Sequence, residues 1–291
     1  MSSNISNSGT NKKIFGGFMI IVLAIIVIFF IYSQYKSYTS FVSSSPYLVK
    51  DIKDGTVASK VPSYKIQPPT DSQYGSEYTY SFWLFINDTN FSSGSARQSC
   101  AASGGTNPPL LKHIFHKGSN DYYQKDNGDH YPILQSPGVW LYPDTNKLNI
   151  NINTYNNVNE SCDIGNIPLN MWVNITIILI GNSVDVYVNG NLKKRQKLSG
   201  VPKLNYGDLY ISNWNGFLGY ISRLRYFNYA VQPYILDEIY KSGPGTAFEQ
   251  GTSLGQASAQ LSPNYWMTTG YPAGLDKISA SAPAVAATST P

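Results

Sequence analysis

Hydrolysis of a glycosidic bond needs two carboxyl groups about 5–5.5 Å apart for retention, or about 6.5–9.5 Å apart for inversion. On a β-scaffold the simplest supply is Glu and Asp alternating along one strand, and this chain has no such run. Asp185 is the only acidic residue inside a clear strand pattern, while Asp237 and Glu238 fall in a helical one. The expectation is therefore a protein that is not an enzyme, with no catalytic residue to assign. His113 and His116 lie three apart in a strand-like segment, a spacing that sends them to opposite faces. That argues against a shared metal ion and for structural imidazoles, and His130 stands apart. Cys100 and Cys162 occupy separate loops. A disulfide between them is expected on the non-cytosolic side of a membrane, with two buried free thiols as the alternative.

Binding chemistry is better supplied. A sugar is held by an aromatic face under the apolar side of its ring, with amides and carboxylates bonding the hydroxyls, and loops on a rigid scaffold concentrate such groups. Trp140, Tyr142, Asp144 and Asn146 surround one hairpin, and Asn213, Trp214 and Asn215 precede the last strands. Tyr122 and Tyr123, in an Asp-rich loop, are candidates to join them. The alternative for Trp140 and Trp214 is core or rim packing. Asn87, Asn90 and Asn159 head sequons open to N-glycosylation, and Asn174 heads one inside a strand, where use is least expected. The basic run from Lys193 to Lys197 reads as a solvated edge strand whose lysines discourage sheet-to-sheet association, a polyanion site being the rival. Residues 78–240 carry 12 Lys and Arg against 11 Asp and Glu, so no basic stripe for nucleic acid is expected.

These residues need strands to hold them. Val173, Ile175, Ile177 and Leu179 fall on one side of a period-two ladder, with Trp172, Asn174 and Thr176 on the other, which is the signature of a half-buried strand. Gly181-Asn182-Ser183 breaks the run, and Val184, Val186 and Val188 start a second alternation. Asn189-Gly190 then supplies the positive φ at both central residues that a type I′ hairpin turn requires. Residues 139–142 and 148–153 form a further hairpin about 143–147. Pro233 suits the first turn of a short helix through Tyr240, closed by Gly243-Pro244.

Four segments in order resemble the laminin-G-like branch of the concanavalin A-like lectin/glucanase superfamily. They are the Ser-Phe-Trp strand at 78–85, the strand and turn at 113–118, the hairpin from Trp172 to Gly190, and the closing strands at 215–230. The resemblance implies an all-β jelly-roll sandwich over residues 74–241, in a superfamily that holds lectins, enzymes and adhesion modules. It also raises calcium, built in relatives from loop Asp and Asn. This chain departs where relatives often carry Asp, having Asn189 before Gly190 and Ser222 after Ile221. Asp121, Asp126, Asp129 and Asp144 remain as loop acids, better read as solvated, and no cofactor is assigned.

Outside the sandwich, residues 1–13 read as a polar tail in the cytosol. Nineteen uncharged residues, beginning at Ile14 and ending on Tyr32, are long enough to cross a membrane. A cleaved signal peptide is the rival, but bulky aromatics replace the small-residue cleavage site. Lys12 and Lys13 before the span place the sandwich on the opposite side from the tail. Residues 33–73, with Pro46, Pro62, Pro68 and Pro69, read as a stalk or arm, and 242–291 as a low-complexity tail. The expected function is a membrane-anchored module for glycan or surface attachment. The alternative is a minor coat or scaffold protein of a virion, linking membrane to shell through capsid or surface proteins. The layout resembles membrane-anchored sandwich proteins of large DNA viruses of protists. A third reading is an inactive or divergent glycosidase-like domain.

Overall fold

The computed structural model describes residues 6–73, 75–88, 111–124 and 130–249. The arm contributes β1 (Lys53–Asp54), β2 (Ser59–Val61) and β3 (Thr70–Ser72). Next come β4 (Gly75–Ile86), β5 (Lys112–Gly118), β6 (Tyr122–Gln124), β7 (His130–Pro132), β8 (Gln135–Leu141) and β9 (Leu148–Ile152). The chain continues through β10 (Glu160–Ile164), β11 (Trp172–Ile180), β12 (Ser183–Val188), β13 (Asn191–Lys197), β14 (Asp208–Ile211) and β15 (Gly219–Phe227). Helices α1 (Ser6–Ser44) and α2 (Pro233–Ser242) stand at the two ends of this series.

The strands make two antiparallel sheets. One runs β1-β15-β4-β11-β12-β13, with β3 also paired to β4; the other runs β10-β9-β8-β5-β14-β2. Strands β6 and β7 form a separate ribbon. Alternate residues of the facing strands fill the space between the sheets: Tyr80, Phe82 and Leu84 of β4, Ile175 and Ile177 of β11, and Val139, Ile150 and Leu209 from the other side. The expected hairpin is present, with Asn189 at φ 50° and Gly190 at 76°. Basic β13 lies at a sheet edge, as its lysines suggest. There Arg195 faces Asp185 directly across the ladder and donates from Nε and Nη2 at 2.6 Å each.

Strand β11 is buried on both faces rather than half-buried. Its outer side is covered because α2, the arm and residues past α2 pack over the seven-stranded sheet. Trp83, Phe85 and Trp172 meet Ile52, Tyr240 and Phe248 there, while Ile178 and Phe227 meet Leu236 and Ile239. Burying each such large side chain is worth roughly 1.5–3 kcal/mol. The polar residues between these clusters satisfy one another: Ser81 Oγ lies 2.9 Å from Thr176 Oγ1, and Thr176 Oγ1 donates to Asn174 Oδ1 at 3.2 Å.

The stalk reading is corrected by the same packing. Residues from Tyr47 to Ser72 are woven into both sheets: β1 pairs with β15, β2 with β14 and β3 with β4. Val49 and Ile66 enter the main core, and Ile52 is 1% exposed. Strands of two or three residues are too short to show a period, so the sequence gives no sign of them. The start of the expected tail is also structured, because Phe248 bridges Ile52 in parallel and Glu249 donates its N–H to Ile52 O at 2.9 Å. Residues 250–291 lie outside the described residues.

Helix α1 is a single helix of 39 residues whose segment Gly17–Lys36 is long and apolar enough to cross a membrane and is not buried by the sandwich. A signal sequence near the N-terminus satisfies the same criterion of length and apolarity.

Candidate functional site

The outer face of the six-stranded sheet gathers the chemistry. Strand β9 alternates Leu148, Ile150 and Ile152 inward with Asn149 and Asn151 outward, and β10 turns Asp163 outward beside them. Lys147 Nζ sits 2.7 Å from Asp163 Oδ2, Asn149 Nδ2 donates to Asp163 Oδ1 at 2.7 Å, and the Tyr142 hydroxyl donates to the same carboxylate at 3.2 Å. Asn151 Nδ2 donates in turn to Asn149 Oδ1. Burial pushes the Asp163 carboxyl up, but the Lys147 and Asn149 bonds outweigh it and hold the group below the usual carboxylate range. Burial and the Asp163 charge raise the Tyr142 phenol.

Beside this cluster lies an aromatic stack. His116 is nearly parallel to Tyr210 at 5.1 Å, to Trp214 at 5.7 Å and to Trp140 at 6.3 Å between ring centroids. His113 meets Trp140 edge-on at 4.6 Å and Trp214 at 5.0 Å. Trp140 is fully buried, and its indole N–H donates to Gln135 Oε1 at 2.8 Å. Gly138 leaves the room for that bond, since a Cβ there would lie 1.7 Å from Gln135 Oε1.

The two histidines share a face, which corrects the expectation that they point apart. His113 pairs with Trp140 and Phe115 with Val139, so Ile114 is an extra residue in the ladder. Such a bulge resets the alternation. His113 Nε2 lies 2.7 Å from His116 Nδ1. The Asn213 backbone N–H donates to His113 Nδ1 at 2.9 Å, which fixes His113 as the tautomer with its proton on Nε2. His113 therefore donates to His116 Nδ1, and His116 Nε2 donates to Ser119 O at 3.0 Å. Burial lowers both imidazoles, His116 to about 4, and keeps them neutral at physiological pH.

This relay holds the loop that carries Trp214. Ser212, Trp214, Asn215 and Gly216 all have positive φ, between 52° and 64°. Each non-glycine residue in that region costs on the order of 1–3 kcal/mol and persists only where its surroundings impose it. Here the imposing bonds are Ser212 N–H to Ile114 O at 2.9 Å, Asn213 N–H to His113, and Phe217 N–H to Gly55 O at 3.0 Å. The loop keeps Trp214 half-buried over the stack.

The expected site residues divide accordingly. Trp140 and Trp214 come together, Trp140 as a buried floor rather than a free ligand face. Tyr142 joins the Asp163 cluster, Asn146 is occupied by Ile167 O at 3.0 Å, and Asp144 is exposed at the hairpin tip. Tyr122 and Tyr123 lie in the β6–β7 ribbon, opposite Pro132 and Tyr131. Sequence reasoning missed Asp163, Lys147 and the histidine pair, although the alternation at 148–153 already placed Asn149 and Asn151 on one face. Cys162 is a free, buried thiol facing the core, and Cys100, its expected disulfide partner, lies outside the described residues. Asn159 is 4% exposed and accepts from Gln135 Nε2 at 2.7 Å, so it is closed to a glycan. Asn87 is partly exposed, and Asn90, Asp126 and Asp129 lie outside the described residues. Among the described residues no three His, Cys, Asp or Glu side chains converge as a metal site.

No curated protein matches the chain in sequence. Among solved structures, the receptor binding domain of botulinum neurotoxin type G is 16% identical with a TM-score of 0.40, covering 66% of this chain and 46% of that one. The corresponding domain of the C/D mosaic serotype is 14% identical with a TM-score of 0.40, covering 57% and 36%. The chain thus spans less than half the length of either. The family match is firmer, since the profile described as the concanavalin A-like lectin/glucanases superfamily, laminin-G type, covers residues 62–234. Both this match and the two-sheet architecture say that the chain belongs to the laminin-G-type concanavalin A-like superfamily.

Proposed function

We propose that the protein is a membrane-anchored binding module whose outer six-stranded face takes a glycan. The observation that carries this is the strained loop 212–216, which holds Trp214 partly open above a stack of rings while the partly exposed Asp163 and Lys147 offer hydroxyl partners on the same face. Strain maintained by a dedicated hydrogen-bond relay is what a presented contact residue requires. The role is binding rather than hydrolysis. A general acid needs a raised pKa, and the face's carboxylate, Asp163, is instead held low by its cationic and amide partners. Helix α1 anchors the chain through the apolar segment Gly17–Lys36, with Lys12 and Lys13 on the cytosolic side.

The competing reading, a scaffold that meets coat or surface proteins, is favoured by the complete burial of Trp140, as expected of a packing residue. Full-length protein in detergent, applied to a glycan array beside its Trp214→Ala variant, separates the two. Selective glycan binding lost in the variant supports the lectin role, and an array with no signal from either protein overturns it.

A further inference from the structure

The outer face of the seven-stranded sheet holds a second, distinct depression. Between α2 and strands β4 and β15 lies a cavity of about 380 Å³. Trp83, 1% exposed, lines it from β4, Arg223 and Arg225 from β15, Glu238 from α2, and Tyr47 and Tyr234 from the arm and the start of the helix. A register shift between Ser222 and Arg225 inserts an extra residue here, and Arg223 takes φ 47° within it. Arg223 donates from Nη1 to Ser242 O at 2.8 Å, one of the five N–H groups a guanidinium offers. Among the described residues no carboxylate forms an ion pair with it. Arg225 is fixed by Ser45 O and Ser45 Oγ, both at 3.0 Å, and its guanidinium lies over the Tyr47 and Phe227 rings.

The cavity's place in the chain says what it meets. Helix α1 ends at Ser44, whose carbonyl accepts from the Asn228 N–H at 3.0 Å. Pro46 O accepts from Tyr226 and the Leu48 N–H donates to Leu224 O, so the chain leaves the helix and docks at once on β15. Ser44 lies only eight positions beyond Lys36, the end of the apolar segment. At about 1.5 Å per helical residue those eight steps rise about 12 Å, a few ångströms beyond a headgroup layer of about 5–7 Å on each side of the hydrocarbon. Tyr47 (47% exposed) and Tyr234 (66% exposed) are amphipathic rings at the cavity wall, the type enriched at membrane interfaces.

We propose that this cavity is a phospholipid headgroup site. The phosphodiester sits on Arg223, with the Ser45-held Arg225 guanidinium adding positive charge beside it, and the Glu238 carboxylate on the helix wall selects a headgroup that carries an amine. Guanidinium and phosphate match in charge and in forked geometry. The site rests on the reading of α1 as a membrane anchor.

The test uses full-length protein, delipidated in detergent, titrated calorimetrically with dihexanoyl phosphatidylethanolamine, dihexanoyl phosphatidylglycerol and inorganic phosphate. The expected result is saturable binding of the ethanolamine lipid, several-fold weaker binding of the glycerol lipid, and none of inorganic phosphate at the same concentration. Arg223→Gln lowers affinity at least tenfold, and Tyr234→Ala, at an exposed position that leaves folding intact, lowers it several-fold. Absence of saturable binding, equal affinity in both variants, or inorganic phosphate binding as tightly as lipid overturns the inference. Alkaline extraction of membranes carrying the chain tests the anchor separately. Release of the chain overturns the anchor and the site together, whereas retention without lipid binding overturns only the site.

Discussion

His113 Nε2 and His116 Nδ1 stand 2.7 Å apart in the interior, although the two residues lie three positions apart along a strand. The bulge at Ile114 brings them together, and Asn213 and Ser119 at either end set the direction of the protons. The pair ties the Trp214 loop to β5, so its charge state bears on both stability and binding.

The first prediction concerns pH. Both imidazoles have folded pKa values lowered by burial, His116 to about 4, against an ordinary value of 6.5. The unfolded chain therefore binds more protons than the folded one between these limits. Stability is full above about pH 6.5 and falls toward pH 4, at about 1.4 kcal/mol per pH unit for each histidine that stays neutral. Urea unfolding at steps from pH 7.5 to 4 measures the slope. His116→Gln should flatten it, and an unchanged slope in that variant would remove the histidine from the account.

A second prediction separates the two stacked tryptophans. Trp140→Ala removes a fully buried ring and leaves Gln135 Oε1 without its donor, which should cost roughly 3–5 kcal/mol. Trp214→Ala removes a half-buried ring from a loop and should cost about 1 kcal/mol while abolishing glycan binding. Thermal melts beside array binding give both readouts, and equal destabilisation would make Trp214 a packing residue.

The arm offers a third. A fragment of residues 71–241 lacks Val49, Ile52 and Ile66 of the core together with β1 and β2. It should express in insoluble form or melt far below a fragment of residues 45–249, which keeps them. Equal melting of the two would mean that the arm is dispensable.

Cys162 carries the fourth. Burial raises its thiol pKa, and the side chain faces the core. A thiol-specific reagent should leave it unmodified in native protein and label it fully in denaturant, with non-reducing mass spectrometry finding no bridge to Cys100. Rapid native labelling would place the thiol at the surface.

Much of the architecture was present in the sequence because it is periodic and local. The alternation at 172–180, the second alternation at 183–188 and Asn189-Gly190 each express a two-residue repeat or a positive-φ turn, and each forms the strand or turn that it signals. The uncharged run beginning at Ile14 is legible for the same reason, since helix length and apolarity are properties of a single segment. What tertiary structure decided is non-local. Whether His113 and His116 meet depends on Ile114 being left without a partner on β8, and that register is set across the sheet. Asp163 gains its partners only when β10 lies beside β9 and the 142–147 turn folds over them. The outer face of β11 became core because α2 and the arm cover it. The arm joined both sheets through strands of two and three residues, too short for any repeat to register yet long enough to complete a ladder.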